Sequence, residues 1–194
     1  MIRFIKRSQF KSMLWRNGKG TTTEIYRYPI NNNQETDSEY DWRISMATVS
    51  ENGPFSIFNG YDRSLSVIDG DGLVLTVDNT PPVTVDRISQ PFRFSGDATT
   101  HCQLLGSAVL DFNVIWKRTT TEASVSKVAF SPGESKQYSM DDKKGVMLLY
   151  PVGGQLHMSS EEQNDIVHDG DASIIEDFDG SVNCRSDVDM YAFL

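Results

Sequence analysis

WRISMATVSENGPFSIFNGYDRSLSVIDGDGLVL, residues 42–75, decides how this chain is to be read. From Trp42 to Val49, Trp42, Ile44 and Met46 alternate with Arg43 and Ser45. Successive side chains of a strand point to opposite faces, so this is a strand with one apolar and one polar face. Glu51-Asn52-Gly53-Pro54 is a dense turn signal, and Phe55–Phe58 reads as a short second strand. Arg63–Ile68 runs into Asp69-Gly70-Asp71-Gly72, whose residues tolerate positive φ, and Leu73–Val77 is expected back as the hairpin partner. Short strands at this spacing, broken by Gly, Asn and Pro, predict an antiparallel barrel or sandwich.

Working outward, Ile2–Ile5 predicts an edge strand and Thr21–Tyr28, rich in β-branched and aromatic residues, a longer one. Residues 15–20 read as a glycine-bearing turn. Its Gly-x-Gly lacks the third glycine and the helix of a phosphate loop. Pro29–Tyr40 reads as a polar surface loop. Further strand signals lie at Val83–Val85, Pro91–Phe94, Thr100–Leu105 and Asp111–Trp116. In the last of these Phe112, Val114 and Trp116 share one face, and Asp111 and Asn113 the other. Thr119–Thr121 is the expected joint between two halves, 1–118 and 119–194. Leu149–Leu156 resembles Val67–Val74, with Gly153 standing 83 positions after Gly70 (153 − 70). His168–Asp171 matches Phe94–Asp97 at an offset of 74 (170 − 96). The repeat is weak, and Gly-rich turns also match by chance. Few stretches carry a helical period, so the fold class is all-β.

The 194 residues suffice for a real core, and 38% hydrophobic residues mark a globular chain. A net charge of −9, from 27 acidic and 18 basic residues, argues against nucleic acid and anionic membrane as partners. The N-terminus lacks the apolar run of a signal peptide, and no stretch has the length of a spanning helix, so a cytoplasmic location is expected. Cys102 and Cys184 have no CxxC spacing; free, buried thiols are expected, with a disulfide as the alternative.

Several ordered motifs together resemble one family: Trp15-Arg16-Asn17-Gly18-x-Gly20-x-Thr22-x-Glu24-Ile25, Trp42-Arg43-x-Ser45-x-Ala47, Gly53-Pro54-Phe55-Ser56-x-Phe58-x-Gly60-x-x-Arg63, Phe94-x-Gly96-Asp97 and Asp111-Phe112-Asn113. They are similar to those of the HutD/Ves family, densely over about residues 10–118 and loosely from 119. The resemblance implies a bicupin, two small antiparallel β-barrels of jelly-roll type in one chain. It also implies a role in tuning histidine catabolism by binding an intermediate such as urocanate or formylglutamate, or that of a stress-related relative, and cupin motifs without metal ligands.

The residues themselves limit the chemistry. The only histidines are His101, His157 and His168; none forms an H-x-H pair and none falls in the central stretch, so neither metal nor cofactor is expected, a His157, His168 and Glu176 set being the alternative. There is no G-x-S-x-G, and His101 and Cys102, adjacent on a strand, would point apart. What remains is polar residues on strands that should be apolar: Arg43, Ser45, Arg63, Asp111, Asn113, Thr22 and Glu24, with Trp15, Phe55 and Phe58 as walls. A guanidinium binds a carboxylate through two parallel hydrogen bonds. Arg43 or Arg63 would hold a ligand carboxylate, Glu24 or Asp111 would balance the charge, and Asn113 and Ser45 would bond an amide, formyl or imidazole group. The plainer reading makes the arginines outward-facing and Asp111 and Asn113 turn caps, and reads Gly53-Pro54 and Gly96-Asp97 as turn geometry. The expected partner is therefore a small carboxylate-bearing metabolite, with a metal-independent isomerase or hydrolase and a protein-interaction module with a filled barrel as alternatives. A homodimer through sheet edges is expected by analogy with the fold.

Overall fold

Period-two patterning becomes strands throughout the computed structural model, which describes residues 1–15, 20–28, 40–140, 145–161 and 163–194. In chain order the strands are β1 (Ile2–Ile5), β2 (Lys11–Leu14), β3 (Gly20–Tyr28), β4 (Trp42–Val49), β5 (Gly53–Pro54), β6 (Tyr61–Asp69), β7 (Leu73–Val77), β8 (Val83–Val85), β9 (Phe92–Ser95), β10 (Thr100–Leu104), β11 (Val109–Lys117), β12 (Lys127–Phe130), β13 (Ser135–Met140), β14 (Val146–Val152), β15 (Leu156–Ser159), β16 (Asn164–Val167), β17 (Ala172–Glu176), β18 (Gly180–Arg185) and β19 (Met190–Phe193). One 3-10 turn, Arg7–Gln9, accompanies them. No helix among the described residues is long and apolar enough to cross a membrane. Residues 16–19 of the expected glycine-bearing turn, and 29–39 of the polar loop, lie outside the described residues.

The chain divides into two units, Phe10–Val125 and Met1–Gln9 with Ser126–Leu194. The joint therefore falls at 125/126, where the sequence placed it at 118/119. The first strand goes with the later unit, because β1 pairs with β17 from Ile2↔Ile175 to Ile5↔Ala172. The first unit has sheets β2-β3-β4-β11-β6-β9 and β5-β10-β7-β8; the second has β1-β17-β14-β19-β12 and β13-β18-β15-β16. The orders β4-β11-β6-β9 and β5-β10-β7-β8 correspond, strand for strand, to β12-β19-β14-β17 and β13-β18-β15-β16. The same eight-stranded double sheet thus occurs twice, and every pairing is antiparallel.

This correspondence corrects several local expectations. β6 and β7 do not form a hairpin: β6 pairs with β11 and β9, β7 with β10 and β8. The Asp69–Gly72 turn passes the chain from one sheet to the other, and both glycines are required there. Gly70 has φ +93°, and a Cβ on it would lie 2.6 Å from the Ala108 carbonyl oxygen; Gly72 has φ +106°. Gly153, at φ +88°, makes the same crossing between β14 and β15, so that repeat match holds in the topology. The match of Gly96 to Gly170 does not. Gly96 lies between β9 and β10, whose counterparts β17 and β18 meet at Gly180, an offset of 84 (180 − 96) close to the first. Gly53-Pro54 is not a turn but β5, paired with His101 and Cys102 of β10, and Phe55–Phe58 is not a strand.

Each unit has its own core. In the first, Val49, Leu65, Val67, Leu73, Leu75, Val77, Val85, Phe94, Cys102 and Val109 pack together, each fully buried aliphatic side chain contributing about 2 kcal/mol. In the second, Phe130, Leu149, Leu156, Met158, Ile175, Val182, Cys184, Met190 and Ala192 do the same. Both cysteines are free and buried; burial pushes the Cys102 thiol up to about 11 and that of Cys184 to about 12.

Candidate functional site

The polar faces of β4, β6 and β11 meet because their registers align. Ile115 of β11 sits opposite Arg43 on β4 and Arg63 on β6, and Asn113 sits opposite Ser45 and Leu65. Asp111 faces Ala47 and Val67. Across β4, Thr22 of β3 is level with Ala47 and Glu24 with Ser45. The inward side chains of four strands thus form a polar floor beside the apolar core.

That floor belongs to a cavity of about 620 Å³ within the first unit, a size suited to a small ligand. Of the ten residues proposed from sequence, Arg43, Ser45, Arg63, Asp111, Asn113, Thr22, Trp15, Phe55 and Phe58 line it. Glu24 does not. A β-bulge between Glu24 and Tyr26 shifts the register, so Arg27 returns to the face of Glu24 and its Nη2 binds Glu24 Oε2 at 2.6 Å. Strict alternation puts residues three apart on opposite faces, so the sequence pattern hides this pair. The sequence also passed over Ser56, Ile115, Gly53 and Pro54 as lining residues, and Tyr40, whose buried ring lies under Arg43 and Arg27.

Arg63 organises the site. Only 6% exposed, it donates through Nη2 to Asn113 Oδ1 at 2.9 Å and through Nη1 to the Ser56 carbonyl at 3.4 Å. Its guanidinium lies 5.3 Å from the ring centre of Phe55, 5.1 Å from Phe58 and 5.0 Å from Phe94. Asn113 Nδ2 in turn donates to Asp111 Oδ1 at 2.7 Å, which also accepts from the Ala47 amide at 3.0 Å. Arg63 and Asp111 are therefore joined through an amide relay. Burial depresses Arg63 to about 10, against the pull of Asp111. Burial raises the carboxyl of Asp111 to about 7, although Arg63 and the two hydrogen bonds oppose it.

Two donors in this arrangement lack an acceptor. Nε of Arg63 and Nε of Arg43 are buried without a hydrogen-bond partner, and Arg43 makes no ion pair among the described residues. A buried donor left unmet costs about 1–3 kcal/mol, more when charged. The hydroxyl of Tyr40 is a third buried group without a partner.

Histidine plays no part in this lining. His101 is exposed on β10 beside buried Cys102, His157 Nε2 is 3.0 Å from Asp187, and Glu176 is held by Arg3 at 2.7 Å. Among the described residues no three of His, Cys, Asp and Glu are grouped to hold a metal ion.

A family model described as HutD matches residues 7–192. The chain belongs to the HutD family. Membership extends through residues 119–192, where the motif resemblance is loose. A Pseudomonas putida relative, named for its place in the hutC 3' region, is 32% identical over 81% of this chain and 77% of its own. Protein Ves of Citrobacter koseri is 34% identical over 58% of this chain; the match spans 56% of Ves. Among solved structures, a conserved Pseudomonas aeruginosa protein of unknown function has a TM-score of 0.87 at 27% identity, covering 100% of this chain and 96% of that one. HutD of Pseudomonas fluorescens has a TM-score of 0.77 at 24% identity, covering 100% and 97%. YhhW of Escherichia coli shares the fold alone, at 10% identity, 100% and 96% coverage and a TM-score of 0.70. The fold of this HutD-family chain is the all-β bicupin that its motifs imply.

Proposed function

We propose that the first unit binds a small carboxylate-bearing metabolite in the cavity, without a metal, and that the protein serves as a regulator or sensor linked to histidine utilisation. The observation that carries this reading is the pair of arginines, Arg43 and Arg63, in the lining of a cavity of ligand size, with Arg43 making no ion pair among the described residues. A carboxylate accepts from guanidinium N–H groups through both oxygens, and the aromatic rings around Arg63 suit a flat or short aliphatic body. The link to histidine utilisation comes from the relatives named for the hutC region and HutD. A thermal-shift screen against urocanate, formylglutamate, formiminoglutamate and glutamate tests it. A ligand at 100 times its Kd adds about 2.7 kcal/mol, which raises Tm by roughly 5–10 °C in a chain of this size. No shift with any of the four at millimolar concentration would refute the metabolite reading.

Asp111 favours a second reading, a metal-independent isomerase or hydrolase in which this carboxyl, raised to about 7, is the general base. Turnover of one of the same acids by chelator-treated protein, lost in Asp111→Asn, would support it; no turnover would dismiss it.

A further inference from the structure

Asp111 is more deeply buried than a residue that only balances charge needs to be. It is 1% exposed, and the charge that compensates it stands one side chain away, beyond Asn113. The groups facing it are few. Strand β4 supplies the Ala47 amide, with Arg43 farther along the same cavity lining, and β6 supplies Arg63. Strand β10 supplies the thiol of Cys102, held neutral partly by the charge of Asp111. Glu24 and Arg27 on β3 compensate each other, and Glu51, also in the lining, is exposed. The negative charge of Asp111 therefore depends on Arg63, one of the two cations that a bound anion would occupy.

Two anions cannot share those guanidinium groups equally in a buried site, because the second finds its compensation already taken. We propose that Asp111 is a positioning residue that couples anion capture to proton uptake: a carboxylate arriving on Arg63 and Arg43 draws one proton from solvent onto Asp111. Oδ1 already accepts two hydrogen bonds, so the proton goes to Oδ2, and the Ala47 and Asn113 contacts persist. Asn113 stays oriented with its oxygen toward Nη2 of Arg63, which holds that guanidinium in the cavity lining. The cup then prefers its anion at lower pH. This rests on the reading of the cavity as an anion site and adds its regulation.

Acetate, ionised at every pH used, is the probe, followed by tryptophan fluorescence at constant ionic strength; Trp15 lines the cavity. With the free carboxyl titrating at about 7, its acid fraction falls from about nine tenths at pH 6 to one tenth at pH 8. The Kd of the wild-type protein should rise about tenfold over that range. Calorimetry at pH 7.5 in two buffers of different ionisation enthalpy should show proton uptake on binding, and Asp111→Asn should bind acetate with a flat pH profile. Saturable binding with a flat wild-type profile and no proton uptake would overturn the coupling while sparing the anion site. No saturable binding at any pH would overturn both. The wild-type calorimetry decides the matter even if Asp111→Asn fails to fold.

Discussion

Replacing Asp111 by asparagine should make the first unit more stable at alkaline pH and leave it nearly unchanged in acid. A free aspartate titrates near 3.9, and in the folded protein this carboxyl titrates at about 7. The folded state therefore holds the proton more tightly, and the stability associated with Asp111 is fully present below about pH 4. It is lost as pH rises from about 4 to 7. The size of that loss is at most about 4 kcal/mol, a large part of the stability of an ordinary domain. Asparagine keeps an Oδ1 that accepts from the Ala47 amide and from Asn113, and it never ionises. Urea unfolding by fluorescence suits the measurement, because Trp15, Trp42 and Trp116 all belong to the unit Phe10–Val125. The stability difference between variant and wild type should grow in favour of the variant between pH 4.5 and pH 8. Parallel curves across that range would refute the buried, raised carboxyl.

Three further outcomes follow from the same geometry. Gly70→Ala should cost roughly 1–3 kcal/mol or more, measurable by denaturant midpoint, because it forces a side chain into φ +93° against the Ala108 carbonyl. Glu24→Gln should lower stability by about 1–3 kcal/mol, since it weakens a largely buried ion pair with Arg27, yet leave ligand affinity within about twofold. Cys102 and Cys184 should both resist a thiol reagent at pH 8 in the native state and react fully in denaturant, since burial raises both thiols.

Much of the site was legible because a strand advertises its faces. Arg43 and Ser45 alternate with Trp42 and Ile44, and Asp111 and Asn113 with Phe112 and Val114. In both strands the polar set lines the cavity. What stayed hidden depends on distant partners. Asp69–Gly72 has the composition of a hairpin turn, and nothing local tells a turn that pairs its strands from one that sends them to different sheets. The Glu24–Arg27 pair depends on a bulge that breaks the period of two. The Gly-Asp dipeptide shared by Gly96 and Gly170 drew a repeat match that strand order moves to Gly180, which follows Asp179 rather than preceding an aspartate.

The central claim is that Arg43 and Arg63 together grip the carboxylate of a small acid. Equilibrium titration of the wild type, Arg43→Met and Arg63→Met with the acid giving the largest thermal shift tests it most directly. Loss of one charged hydrogen-bonding partner costs about 2–5 kcal/mol, so each folded variant should bind at least about thirtyfold more weakly. Affinity unchanged in both variants would contradict the account.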